Sequence, residues 1–262
     1  MYYYFTLQVL KVGIIKPNFR KCNVLGVNIA CVNMQLFLDF IQKNIKDLKN
    51  EYICATNVHT VITAYEDETY RAVQNTAIAS LPDGGPIASY CVKKGYTETK
   101  RTTGPDFMGE ILKLGLKNNY KHFFYGSTNE TLAKLKTKLE ENYPGINIVG
   151  MYSPPFRKLT DEEDKDIIKM INDASPEFVW IGLGAPKQEI FMYEHKDKIN
   201  SLMIGVGAAF DFFAGNIKRA PAWMQKLNLE WFYRLMQDPK RLFSRYLSTN
   251  TKFIYLTKIL RK

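Results

Sequence analysis

Histidine and cysteine are scarce in this 262-residue chain, and neither is spaced to hold a metal. His59, His122 and His195 stand far apart, and Cys22, Cys31, Cys54 and Cys91 include no C-x-x-C pair, so zinc-ligand spacing is missing. The scattered cysteines read as reduced thiols and the histidines as incidental, which points to a cytoplasmic chain with no metal site. No apolar run reaches the roughly 20 residues of a membrane-spanning helix. The aromatic start Met1-Tyr2-Tyr3-Tyr4-Phe5 lacks the basic opening and small-residue cleavage site of a secretory signal, so export is not expected. Nucleotide motifs are incomplete too. Gly182-x-Gly184-x-x-Lys187 lacks the third glycine of the dinucleotide fingerprint, and no G-x-x-x-x-G-K-[ST] occurs, which disfavours a hydride-transfer enzyme or an NTPase.

Apolar residues are plentiful, at 46%, enough to build the core of one large or two small domains. Positive charge is plentiful in one place. From Asn216 onward the chain carries eleven lysines and arginines against two acids, Glu230 and Asp238, so nearly all of the formal +10 lies there. Such asymmetry calls for a polyanionic partner: nucleic acid, an anionic membrane surface or a phosphorylated substrate.

Apolar periodicity predicts strands at residues 23–30, 52–55, 77–81, 122–126, 146–149, 178–184 and 202–207. Helical spacing covers 36–45, 58–74, 87–93, 107–116, 130–141 and 160–172. The last of these starts with Thr160 and Glu163 at the spacing of a capping box. Strand–helix alternation predicts an α/β chain with a Rossmann-like, mostly parallel sheet flanked by helices. The expected organisation is an uncertain N-terminal extension (1–22), an α/β domain (23–215) and a basic helical appendage (216–262).

The stretch Leu81-Pro82-Asp83-Gly84-Gly85-Pro86-Ile87 ends a strand on a carboxylate among turn-forcing residues. Ligands of open α/β sheets bind beyond the carboxyl ends of the strands, which makes Asp83 the first candidate for chemistry; the alternative is a cap on the helix near Pro86. Thr56-Asn57, Gly126-Ser127, Gly184 to Glu189 and Asp211 are expected at the same edge. Thr56 and Asn57 also suit helix capping. The glycine turn before Pro186 either offers backbone amides to a diphosphate or lets strand and helix pack closely. Asp211 stands among Phe210, Phe212 and Phe213 and needs a partner, either a ligand such as ribose or a buried arginine or amide.

In the tail, Arg241, Arg245, Ser248 and Lys252 form one helical stripe. Leu242, Phe243, Tyr246, Leu247, Phe253 and Ile254 form another, the pattern of an amphipathic helix. With Trp223, Trp231, Phe232 and Tyr233 upstream, the content fits an interfacial membrane contact. Core packing with solvated charges is the alternative, and no nucleic-acid recognition motif is present.

Taken together, Thr56-Asn57, Leu81-Pro82-Asp83-Gly84, Arg101-Thr102-Thr103-Gly104-Pro105-Asp106, Gly182 to Glu189, Gly205 to Asp211, Arg219-Ala220-Pro221 and Leu229 to Leu235 with Pro239-Lys240-Arg241 resemble the WecG/TagA/CpsF family of bacterial cell-surface glycosyltransferases. The likeness runs from about Val24 to Tyr246; the first 20 or so residues fall outside it. The resemblance implies inverting transfer of N-acetylmannosamine, or a related sugar, from a UDP donor to a polyprenyl-diphosphate-linked sugar such as N-acetylglucosaminyl-diphospho-undecaprenol. No cofactor or metal is implied. By that match Asp83 is the general base with Thr56 beside the sugar, and Asn57, Arg101, Gly126, Gly184, Gln188, Glu189 and Asp211 hold substrate or nucleotide. Arg234, Arg241 and Arg245 would neutralise the lipid diphosphate or departing UDP, at the inner face of the cell membrane. The open alternatives are another UDP-hexose donor and a non-catalytic nucleotide or lipid-diphosphate binder. The tail aromatics fit either lipid or a second subunit.

Overall fold

The computed structural model describes residues 17–227 and 229–259, apart from the side chains of Lys226 and Arg241. Most of the expected N-terminal extension lies outside the described residues, and the first strand already begins at Lys21.

Lys21–Val24 (β1) and Val27–Ala30 (β2) form a hairpin where the alternation predicts one strand. Leu25 and Gly26, with φ of 51° and 95°, make the doubly left-handed two-residue turn that matches strand twist. After Met34–Asn44 (α1) and Tyr52–Thr56 (β3), the predicted helix 58–74 is two helices, Val58–Glu66 (α2) and Glu68–Thr76 (α3). Asp67 breaks it: its backbone is extended, and its carboxylate accepts the N–H groups of Thr69 and Tyr70 to start the second helix.

Ala79–Pro82 (β4), Gly85–Lys93 (α4), Gly104–Asn118 (α5), Lys121–Gly126 (β5), Asn129–Asn142 (α6) and Asn147–Tyr152 (β6) follow. Asp161–Ala174 (α7) starts with the predicted capping box of Thr160 and Glu163. Phe178–Gly182 (β7), Lys187–His195 (α8), Leu202–Gly205 (β8) and Ala209–Phe213 (α9) complete the sheet layer. The tail adds Ala222–Lys226 (α10), Glu230–Gln237 (α11) and Pro239–Ile254 (α12).

The eight strands lie in the order β1-β2-β4-β3-β8-β7-β5-β6. All pairings are parallel except β1 with β2. Helices cover both faces, so β3, β4 and β8 are buried along their whole length. On one face Phe37, Phe107 and Ile111 pack with Phe178, Trp180 and Phe210. On the other Ile167, Ile171 and Met192 pack with Tyr52, Phe123 and Tyr125.

The tail docks on this body. Phe253 and Leu256 join a buried cluster with Val61, Ile62 and Cys91, each worth about 1.5–3 kcal/mol when fully buried. Lys252 pairs with Glu66, at the far end of α2. The expected single apolar stripe of α12 is therefore two: Leu242 and Phe253 face inward, while Phe243 and Leu247 remain about 60% exposed.

Candidate functional site

Parallel pairing brings the carboxyl ends of β4, β3, β8 and β7 side by side. Thr56 lies opposite Pro82 in the register, so Asn57 and Asp83 leave the sheet as neighbours. α11 and α12 complete a cleft of about 280 Å³ over that edge, lined by Asp83, Asn57, Arg101, Arg234 and Arg245 among others.

Asp83 does not cap α4. Gly84 takes that position with φ 109° and no side-chain hydrogen bond, which leaves the carboxylate in the cleft. The Asp83 N–H donates to the Thr56 carbonyl at 2.9 Å, and Asn57 Nδ2 approaches Asp83 Oδ2 at 3.5 Å. Burial raises the Asp83 pKa to about 6, offset by the Asn57 hydrogen bond, increased by the charge of Glu230, and offset by Arg234 and Arg101. A carboxyl group poised near neutrality in a cleft has the profile of a general base.

Asn57 does cap α2, accepting from the N–H groups of His59 and Thr60 in a full capping box. Its neighbour Thr56 departs from expectation. The strand pleat points adjacent side chains to opposite sides, so Ala55 and Asn57 line the cleft while Thr56 is fully buried beneath it. Thr56 Oγ1 donates to Gln74 Oε1 at 2.8 Å.

That bond begins a buried chain. Gln74 Nε2 donates to Tyr70 Oη at 2.9 Å, and Tyr70 donates to Glu189 Oε2 at 3.1 Å. Gln188 Nε2 donates to Glu189 Oε1 at 2.8 Å, and Gln188 Oε1 accepts the amides of Gly184 at 3.2 Å and Gly207 at 3.0 Å. Glu189 is thus a fully buried acceptor under the site, with a pKa raised by burial and offset by these donors; it does not line the cleft. Gln188 does line it, yet its carbonyl oxygen ties the β7 and β8 loops together. The Gly184 amide is occupied by that oxygen, while Gly184 and Ala185 themselves line the cleft.

Gly126 and Asp211 also lie away from the cleft. A Cβ on Gly126 would meet the Gly182 backbone at 2.7 Å, so this glycine serves the close approach of β5 and β7. Asp211 is partnered by Asn216 Nδ2 at 3.1 Å, which answers its need within the chain.

Arg101 lines the cleft and donates from Nη1 to Glu230 Oε2 at 2.8 Å. Arg234 also lines it, with its guanidinium 5.4 Å from the Phe212 ring centre. Arg245 lines the cleft from α12. The Arg241 side chain lies outside the described residues; its backbone belongs to α12.

The sequence reading missed His59 and Glu230. His59 lines the cleft, and its buried Nδ1 has no partner among the described residues. Burial, then the charge of Arg245, lowers its pKa, which favours a neutral imidazole. Its place two residues after the Asn57 cap was the available signal. Among the described residues no three His, Cys, Asp or Glu side chains converge as a metal-ligand set, and no helix is long and apolar enough to cross a membrane.

A mostly parallel sheet with an acid and arginines gathered in one cleft at its carboxyl edge defines an α/β protein of the class that binds ligands beyond the carboxyl ends of its strands. The model of the glycosyl transferase WecG/TagA/CpsF family matches residues 22–262, and the chain belongs to that family. It is similar to the N-acetylglucosaminyldiphosphoundecaprenol N-acetyl-beta-D-mannosaminyltransferase of Bacillus subtilis (strain 168), at 34% identity over 219 residues, 82% of this chain and 83% of the relative. It is also similar to the protein of the same name from Staphylococcus aureus (strain MW2), at 30% identity over 230 residues, 87% and 89% of the two chains.

Proposed function

We propose that this protein transfers N-acetylmannosamine from UDP to N-acetylglucosaminyl-diphospho-undecaprenol, inverting the anomeric centre, in the assembly of a cell-surface polymer such as teichoic acid. Three arginines around one half-buried acid carry the reading. Asp83 takes the proton of the acceptor hydroxyl as that oxygen attacks the anomeric carbon, and the bond to UDP breaks from the opposite side. Asn57 holds the carboxylate by its amide hydrogen. Arg101, Arg234 and Arg245, all at the cleft, stabilise the charge that builds on the departing diphosphate, the task a metal performs in other transferases. His59 also lines the cleft, where its ring adds to the wall around the sugar. Thr56 and Glu189 act from beneath by holding the floor.

The acceptor is borne by lipid, and the tail fits a peripheral role at the inner face of the membrane. Trp223, Phe243 and Leu247 are about 60% exposed on helices of the basic tail that themselves carry lysines and arginines and no acid, a combination suited to an anionic interface.

The test is UDP release from UDP-N-acetylmannosamine with a short-chain N-acetylglucosaminyl diphospholipid, comparing the native chain with Asp83→Asn. The expected loss in the variant is roughly two to four orders of magnitude. Release with a different UDP-sugar would change the donor and retain the mechanism; silence with every donor would leave a binding protein.

A further inference from the structure

Glu230 stands in the cleft without a part in the transfer chemistry described above. It opens α11 one turn before Arg234, and spacing of four residues puts both on the face toward the cleft. Its Oε2 accepts from Arg101 Nη1 at 2.8 Å, and its Oε1 lies 3.4 Å from Arg219 Nη2. Arg219 Nη1 is paired in turn with Asp106 Oδ1 at 2.5 Å, and Asp106 Oδ2 lies 4.0 Å from Arg101 Nη2. Two cations and two anions thus close a ring, with Arg101 and Asp106 from the body and Arg219 and Glu230 from the tail. Thr103 Oγ1 adds a 2.6 Å hydrogen bond to Asp106.

Within this ring the two acids are not equivalent. Asp106 is held in place by Arg219 and Thr103, which keep its pKa low against the opposing effect of burial. Glu230 sits on the cleft wall with Asp83 and engages the arm of Arg101 that a phosphate oxygen would use.

We propose that Glu230 is a displaceable counter-ion, holding Arg101 until a diphosphate takes its place. The inference rests on the reading of the cleft as the sugar-transfer site. When a diphosphate reaches the cleft, one of its oxygens takes Nη1 of Arg101 from Glu230. Glu230 stays paired with Arg219, so no buried charge is stranded by the exchange, which keeps its cost low. A diphosphate carries more charge and more acceptor oxygens than a carboxylate, so it wins Arg101; a neutral sugar cannot. Glu230 therefore makes the cleft selective for polyanions and keeps its arginines from trapping weak anions.

Two diphosphates could perform the exchange, the nucleotide and the lipid. Calorimetric titration of the native chain and of Glu230→Gln with UDP, and separately with a water-soluble short-chain polyprenyl diphosphate, tells them apart. The variant is expected to bind the exchanging diphosphate about tenfold more tightly, the order of effect of removing one competing charge from a partly buried site. The arm that tightens identifies which diphosphate meets Arg101. A purely structural Glu230 gives the opposite sign, with unchanged or weaker binding to both, and that result overturns the proposal. Should the glutamine variant fail to fold, Glu230→Asp keeps the charge near Arg219 but shortens its reach to Arg101, and tightening in the same direction is expected; no tightening overturns the proposal. Binding of neither diphosphate by the native chain overturns the reading of the cleft, and the exchange with it.

Discussion

One amide joins Asn57 to Asp83: Nδ2 of Asn57 faces Oδ2 of Asp83 at 3.5 Å, while its Oδ1 accepts the N–H groups of His59 and Thr60. The cap fixes the flip of the amide, since the oxygen must face the helix N–H groups, and so leaves the NH₂ for the acid. Helix capping and site construction are one feature here.

Asn57→Asp separates them. Aspartate caps as well as asparagine, but it replaces the donor with a second carboxylate beside Asp83. Mutual repulsion then raises the Asp83 pKa further. The expected outcome is at least about a tenfold fall in kcat/KM at pH 7, partly recovered at higher pH, with helix content by circular dichroism unchanged.

Asp83→Asn should stabilise the fold while lowering turnover by roughly two to four orders of magnitude. A pKa raised in the native state means that the folded chain binds the proton more tightly than the unfolded chain. Stability therefore falls as pH rises from the ordinary value near 3.8 through about 6. At pH 7 the ionised acid costs up to about 3 kcal/mol. Thermal melts at pH 7 should show a higher Tm for the variant, with the gap closing below pH 4.

The pH–rate profile of the native chain should fall on the acid side with a midpoint near 6, as Asp83 becomes protonated. The charge of Glu230 helps to hold that value up. Glu230→Gln should move the acid limb of kcat/KM to lower pH, and an unmoved limb would show that the two acids do not sense one another.

Tyr70→Phe probes the buried chain beneath the floor. It leaves Gln74 Nε2 without its acceptor and removes one of the two side-chain donors to Glu189. An unsatisfied buried polar group costs about 1–3 kcal/mol, more when charged, and urea unfolding should record a lower midpoint of that order.

Phe243→Asp combined with Leu247→Asp changes only exposed positions of α12. Co-sedimentation with vesicles containing anionic lipid should drop sharply, while the melting temperature should change little. Vesicle binding equal to that of the native chain would place the membrane contact elsewhere.

Sequence alone determined the alternation of strands and helices, the position of Asp83 at a strand end, the capping box at Thr160 and the basic tail, because each is written in local periodicity or local turn chemistry. It also carried the joint motifs that mark the family. It did not separate β1 from β2, since Leu25-Gly26 sits inside an unbroken alternation, nor α2 from α3, since Asp67 interrupts a helical pattern without a glycine or proline. Only tertiary structure decided which polar groups share the cleft. The pleat of β3 sends Thr56 down and Asn57 up, the close packing of α8 buries Glu189 under Gln188, and the docking of α11 and α12 brings Glu230, Arg234 and Arg245 to Arg101 and Asp83. Those placements depend on contacts between residues from 18 to more than a hundred positions apart, where hydrogen-bond direction and packing, not local spacing, set the outcome.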